Sequence, residues 1–349
     1  MDRKNTLKAL LFDKPDYIPV NFVINDSCWN AYPQEALLEL ISEHRLLFPN
    51  FAKPELPYTP KYANVAQKNH PYTDDWGCLW ETMDDGITGT VTKHPLSDWA
   101  NYPNYKIPDP SVCMGIGKID WQEERKRIKK LKENGEFAMG GLRHGHTFLQ
   151  ICDIRGYEEA IFDMEDEEPL LVDLLEKITD FNLYIIQQYL DMDADVITYA
   201  EDLGMQYGPM LSPACFERYI LPCYRRIMKP AREKGKIIHM HSDGDIRTLA
   251  PYLMEKGVHV LNLQDLVNGI SWIKENVKGK VAIDLDIDRQ KITPYGTPKE
   301  IEELIREEVS ELGDEKGGLM LTYGLYPGVP LENIKALMDA LERYALYFA

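Results

Sequence analysis

The chain has 349 residues, 44% of them hydrophobic, and a formal net charge of −18. That length and composition describe a folded globular protein with a sizeable core. A surface so acidic repels phosphate backbones and anionic lipid, which argues against nucleic-acid and membrane-surface binding, and no run of ~18 apolar residues exists to span a bilayer.

In chain order, "MDRKNTLKALLFDKPDYIP" carries charges on both sides of a very short apolar run, the pattern of neither a signal peptide nor an anchor. The six cysteines share no C-x-x-C spacing and read as reduced thiols, so the expected location is cytoplasmic. "YIPVNFVIND" is a strand candidate. Residues 50–110 differ in texture, being rich in Pro, Tyr, Asp and Asn; "WGCLWETM" and "ITGTVTKHP" flank "DDG", a hairpin turn signal. The region reads as an N-terminal excursion carrying a β-hairpin.

From about residue 112 short apolar runs alternate with amphipathic helices. "EFAMGG" reads as a strand, "YEEAIFDMEDEEPLLVDLLEKITDFNLYIIQQYLDM" as two helices and "ADVITYAED" as a strand. "SPACFERYILPCYRRIMKPAREKG" is a helix begun by Ser212-Pro213 and closed by Gly235. The strands "KIIHMH", "VHVLNLQD", "KVAIDLDI" and "GLMLTYG" follow, separated by helices, one of which opens with a Thr-x-x-Glu capping box at Thr297. The last helix is "PLENIKALMDALERYALYF".

Strict strand–helix alternation over some 200 residues implies parallel strands joined by crossover helices. The number of units approaches eight, which favours an α/β fold of the (β/α)8 TIM-barrel type, residues 1–349 forming a single domain. Neither G-x-G-x-x-G nor G-x-x-x-x-G-K-[ST] is present, so dinucleotide- and phosphate-binding folds lose their main support.

In such a barrel the chemistry sits at the C-terminal strand ends. Those ends carry Asn25 and Asp26; Arg143, His144 and His146; Tyr199, Glu201 and Asp202; His239, His241 and Asp243; Gln264 and Asp265; Asp284, Asp286 and Asp288; and Tyr323 and Tyr326. Strands also end in polar residues simply because they end at the surface. His239 and His241, two apart on a strand, point to one face. Two imidazoles near carboxylates suit a divalent metal such as Zn²⁺, with Glu201 and Asp202 as the nearest carboxylates and Glu217 able to reach back from the next helix. The same pair equally fits a polar pocket of hydrogen-bond donors. The "RHGH" stretch either binds a carboxylate or phenolate through Arg143 or is a solvated loop; His146, Tyr199 and Gln264 are further substrate-binding candidates at strand ends, while Trp29, Trp76, Trp80 and Tyr32 line a pocket or belong to the core.

The stretches "DDWGCLWE", "EDLGMQYGPMLSPACFERYILPCYRRI", "HMHSDGDI" and "GGLMLTYGLYPGVPLENIKAL" resemble the uroporphyrinogen decarboxylase superfamily, which includes corrinoid-dependent methyltransferases. The resemblance covers most of the chain and implies a (β/α)8 barrel. Decarboxylases of the superfamily grip their substrate's carboxylates with an arginine-rich N-terminal segment; the corresponding "NFVINDSCWNAY" has no arginine, and the decarboxylases' tail histidine falls on Tyr326. The thiol methyltransferases hold zinc with His-x-Cys and a distant Cys, where this chain has His239, His241 and Tyr323.

The branch that demethylates small methoxylated or methylated compounds onto a separate corrinoid protein remains. The resemblance implies zinc held by His239 with Glu201 or Asp202 and Glu217, and His241, Asp243 and Tyr323 as proton donors or orienting groups. It also implies a small-molecule methyl donor, a corrinoid protein as partner and a possible homodimer. The alternatives are a metal-free lyase acting on a carboxylated substrate through Arg143 and the aspartates, and a binding protein without turnover.

Overall fold

The computed structural model describes residues 2–349. The fold is α/β, built on a seven-stranded sheet in which short β-rich segments alternate with helices. The sequence leads one to expect eight parallel strands. The segment after the first strand instead forms a small antiparallel sheet and 3-10 turns, so seven are found among the described residues.

Two compact units are distinguished, one made of residues 68–82 and 89–262, the other of residues 1–67, 83–88 and 263–349. The second unit contains β1 (Val20–Ile24). The first contains β2 (Tyr72–Thr73), β3 (Leu79–Glu81) and β4 (Thr90–Lys93), which pair antiparallel with Trp80 opposite Val91. Residues 82–89 separate β3 from β4, so "DDG" lies in a broad connection and not in a two-residue turn.

The first unit continues with β5 (Met139–Gly141), β6 (Val196–Ala200), the short pair β7 (Gly204–Met205) and β8 (Gly208–Pro209), and β9 (Ile237–Ser242). Strands β5, β6 and β9 run parallel, with Gly141 opposite Thr198, Thr198 opposite His239 and Ala200 opposite His241. Strands β6 and β9 open on buried β-branched residues, Val196 and Ile197 and Ile237 and Ile238, as buried parallel strands commonly do. The Pro169–Asp191 helix starts at Glu168, whose carboxylate accepts from the Leu170 amide, and places Pro169 in its first turn. It buries Leu171, Leu174, Leu175, Ile178, Phe181, Ile185 and Ile186, a stripe at helical spacing. The "SPACFERYIL" helix is capped as the sequence predicts, the Ser212 hydroxyl accepting from the Cys215 amide at 3.1 Å. A π-helical turn at Phe216–Ile220 interrupts it before Leu221–Glu233, a feature the residue pattern does not announce.

Strand β10 (Val260–Gln264) falls where the chain passes from one unit to the other. The second unit adds β11 (Ala282–Asp286) and β12 (Leu319–Leu325), with β12 parallel to both β1 and β11 and Phe22 opposite Tyr323. Its Pro298–Leu312 helix has the expected capping box between Thr297 and Glu300 and buries Ile301, Leu304, Ile305 and Val309. All six cysteines are free and buried. Among the described residues no helix is long and apolar enough to cross a membrane.

Gly141 shows why β5 must be so bare. A Cβ there would stand 2.1 Å from the Thr198 carbonyl oxygen and 2.6 Å from its nitrogen. Backbone cannot step aside as a flexible side chain can, so Gly141→Ala will destabilise the protein by about 2–3 kcal/mol, read as a lower midpoint in urea unfolding. An unchanged midpoint would show that the two strands have slack.

Candidate metal centre at the ends of three parallel strands

The ends of β5, β6 and β9 bring together His144, Asp202 and His241, all in the first unit. One possible ligand atom from each lies within 4.8 Å of the other two. The Asp202 Oδ1 is 3.1 Å from His144 Nε2 and 3.4 Å from His241 Nε2. Asp243 follows at the rim, its Oδ1 4.0 Å from His241 Nε2 and its amide donating to Asp202 Oδ1 at 3.1 Å. His144 is half exposed while Asp202 and His241 are more enclosed, so the group opens to solvent on the His144 side.

Local structure explains the convergence. The loop after β5 is bound to β6 at two points, with the Leu142 amide donating to the Thr198 carbonyl at 3.0 Å and the Gly145 amide to that of Ala200 at 2.8 Å. That puts His144 level with the residues just beyond Ala200. On the other side the β6 and β9 ends touch through glycine. A Cβ on Gly244, whose φ is +81°, would stand 2.2 Å from the Gly204 carbonyl carbon, so no larger residue fits. The β7–β8 hairpin, starting two residues after Asp202, thereby holds the β9 loop close.

The electrostatics are those of a carboxylate bridging two imidazoles. Burial would raise the Asp202 pKa, but hydrogen bonds to His144 and His241, with their charges, hold it well below the usual carboxylate range. Burial disfavours the charged His241 ring; the bond to Asp202, the charges of Asp243 and Asp202 and the Asn262 contact outweigh it and push its pKa up to about 9. The Asn262 Oδ1 faces His241 Nδ1, which makes Nδ1 the donor and leaves Nε2 turned toward Asp202. A ring fixed through its far nitrogen in this way is how proteins aim an imidazole at a metal.

The ligand set read from the sequence was His239, Glu201, Asp202 and Glu217, and the structure corrects it. Only Asp202 belongs to the converging group. Glu201 is fully buried, with Oε1 accepting from the Thr147 amide at 2.7 Å and the Leu149 amide at 3.0 Å and Oε2 bonded to the Tyr224 hydroxyl. Burial pushes its pKa up to about 7, against the pull of those three bonds. Glu217 is exposed on the π-helical turn. His239 is buried one pleat deeper on β9, opposite Thr198. His144 is the residue the sequence reading passed over in favour of Arg143 and His146. Its signal was its place, three residues past the end of a barrel-type strand.

Of the expected catalytic groups, His241 and Asp243 are at the centre. Tyr323 is not: in the second unit its hydroxyl donates to Thr293 Oγ1 at 3.0 Å, its ring packs 5.3 Å from Phe22, and burial pushes its pKa up to about 12.

The expected substrate residues divide the same way. Arg143 is held by Asp153 at 2.7 Å and the His144 carbonyl at 3.0 Å, with its guanidinium 5.8 Å from the Trp80 ring. It thus braces the His144 loop. Burial raises Asp153 to about 6 despite Arg143. His146 is buried, its Nδ1 2.7 Å from Thr147 Oγ1, and burial with the nearby positive charges pushes its pKa down to about 3, so it is a neutral ring.

Tyr199 is buried, its hydroxyl donating to the Ile227 carbonyl at 3.0 Å. Trp76 is buried with its ring edge-on to Phe181 at 4.9 Å, and Trp29 is buried against Tyr58 at 5.0 Å. These three are core residues, because large aromatic rings pack inward wherever space permits. Gln264, half-buried, ends β10.

Parallel α/β architecture with a histidine–carboxylate group at the strand ends defines an enzyme-like centre of the barrel class. The family model for uroporphyrinogen decarboxylase (URO-D) matches residues 80–344, and the chain belongs to that family. It is 23% identical over 267 residues to "Uroporphyrinogen decarboxylase" of Trichlorobacter lovleyi, spanning 74% of each chain. It is 28% identical over 175 residues to the protein of the same name from Geobacter sp. strain M21, where the match spans about half of each (49% and 48%). Among solved structures it is similar to the "methyltransferase from Methanosarcina mazei", with a TM-score of 0.65, 19% identity and 98% of both chains covered. At that identity the likeness shows a shared fold.

Proposed function

We propose that this chain is a methyltransferase that demethylates a small methoxylated or methylated compound and passes the methyl group to a corrinoid carried by a partner protein, assisted by zinc. The observation that carries the reading is the convergence of His144, Asp202 and His241 on one point. Two imidazole nitrogens and one carboxylate oxygen are a donor set that suits Zn²⁺ and leaves a position open for substrate. The Asn262 contact supports it, since its Oδ1 accepts from His241 Nδ1 and leaves Nε2 facing Asp202.

Zinc held there would supply Lewis acidity to the heteroatom that loses its methyl group. In the proposed transfer the carbon–oxygen bond would break with its electron pair left on oxygen, the acceptor's Co(I) would supply the pair that bonds the methyl, and the oxygen would take a proton. Asp202 would complete the donor set beside the two imidazoles. Asp243, at the rim and partly exposed, is placed to relay that proton. Among the converging groups no arginine is found, which fits a substrate that need not present several carboxylates.

The second reading, a decarboxylating lyase, is favoured by the names of the curated relatives. One set of measurements separates the two. Purified protein is analysed for bound metal and then incubated with a panel of methoxylated aromatics and reduced cobalamin. Stoichiometric zinc, with a methyl-dependent change in the cobalamin spectrum that His144→Ala removes, is the expected result. No zinc and no transfer, with CO₂ released from a porphyrinogen, would replace the methyltransferase by the lyase.

A further inference from the structure

We infer that Glu201 is the positioning residue of this centre, clamping the His144 loop to the end of β6 without contacting the ligand position itself. Three elements meet on its carboxylate. Oε1 accepts from the amides of Thr147 and Leu149, which open the Phe148–Arg155 helix, and Oε2 is bonded to the Tyr224 hydroxyl of the Leu221–Glu233 helix. The Glu201 amide donates to the His241 carbonyl at 3.1 Å, which ties the same residue to β9.

The chain geometry turns these bonds into control over the centre. His144 lies three residues before Thr147, and Asp202 is the next residue after Glu201. Neighbouring side chains on an extended backbone point to opposite sides, so Glu201 faces inward while Asp202 faces the imidazoles. An anion at a helix N-terminus is favoured by the helix dipole, and two amides on one oxygen leave that oxygen no bond to offer elsewhere. Other restraints on this loop include the Leu142–Thr198 and Gly145–Ala200 backbone bonds, the Arg143–Asp153 pair and the Asn182 amide on the His146 carbonyl. Glu201 is the restraint at the loop's far end, nearest the helix. Without it, the helix side of the loop that carries the 3.1 Å contact between His144 and Asp202 is left to the Gly145–Ala200 and Asn182–His146 bonds.

The inference uses the metal reading only for its affinity readout. The test is Co²⁺ titration of the full chain, followed by visible absorption, beside hydrogen–deuterium exchange of residues 142–149 in the metal-free protein. In Glu201→Gln the amide oxygen still accepts both N–H groups and its NH₂ faces the Tyr224 oxygen. Affinity should stay within about 3-fold and the Co²⁺ spectrum should be unchanged. Glu201→Ala should weaken Co²⁺ binding by about 10- to 100-fold, the range for outer-shell partners of metal ligands, and should speed exchange across 142–149.

If Glu201→Gln falls as far as Asp202→Asn and alters the spectrum, Glu201 is a ligand and the inference is wrong. If Glu201→Ala matches wild type in both readouts, it is equally wrong. Should Glu201→Ala fail to fold, Tyr224→Phe decides. It frees the carboxylate's second oxygen, and faster exchange with weaker Co²⁺ binding supports the clamp, whereas no change overturns it. Should wild type bind no Co²⁺, the metal reading fails and the exchange comparison alone judges the clamp.

Discussion

On the proposed zinc reading, Asp202→Asn will abolish metal uptake while leaving the protein folded. Asp202 Oδ1 lies within 3.4 Å of both Nε2 atoms, and its negative charge lets two half-enclosed imidazoles face a common point. An amide is a poor ligand for Zn²⁺ and brings no charge. Zn²⁺ affinity should therefore fall by more than the roughly 10- to 100-fold that follows loss of an outer-shell partner, with methyl transfer falling alongside.

The same substitution has a signature in the metal-free protein. The His241 pKa is raised from 6.5 to about 9. A raised histidine contributes stability that is fully present below its unfolded pKa and is lost as pH rises through the folded one. Wild-type stability should thus decline between about pH 6.5 and 9, and Asp202→Asn should flatten that decline. Urea midpoints measured across the window check it; equal slopes in the two proteins would mean that Asp202 does not hold the proton on His241.

Glu308→Gln is expected to stabilise the protein at neutral and alkaline pH, with little effect below pH 5. Glu308, on the Pro298–Leu312 helix, is fully buried beside the equally buried Asp265 at the end of β10. Burial, then the charges of Asp265, Asp288 and Glu307, push its pKa well above the ordinary value of 4.5, and Asp265 is raised as well. The buried pair therefore keeps a proton that the unfolded chain would release.

Above about pH 4.5 the unfolded chain releases this proton while the native pair holds it, so the pair's contribution to stability falls as pH rises, until the folded pair titrates as well. Glutamine keeps the shape of the side chain and has no proton to lose. Its advantage should begin near pH 5, below the pH at which the His241 effect sets in. Parallel stability curves for wild type and Glu308→Gln from pH 5 to 8 would refute a protonated pair.

Periodicity alone was enough to place this chain among parallel α/β proteins. The alternation of "VITYA", "IIHMH" and "AIDLD" with apolar-striped helices has one economical solution, and a strand's polar end marks the face where function collects. Asp202, His241 and Asp243 were identifiable on that ground, since each follows directly on a buried run. The caps at Ser212 and Thr297 were likewise local, written in residues one turn apart.

What only the tertiary structure decided was which of two adjacent groups faces the centre. Glu201 and Asp202 are neighbours of like chemistry, and the choice between them depends on the Thr147 and Leu149 amides, more than 50 residues away. The same holds for Tyr199, Trp76 and Tyr323, whose burial is settled by partners on other elements. His144 joins the centre because its loop is bonded to the β6 backbone, and backbone bonds carry no residue signature. Alternation is a property of consecutive residues and survives in the one-dimensional string; the aim of a side chain is set by distant atoms competing for the same space and the same hydrogen bonds, and exists only once the chain has closed on itself.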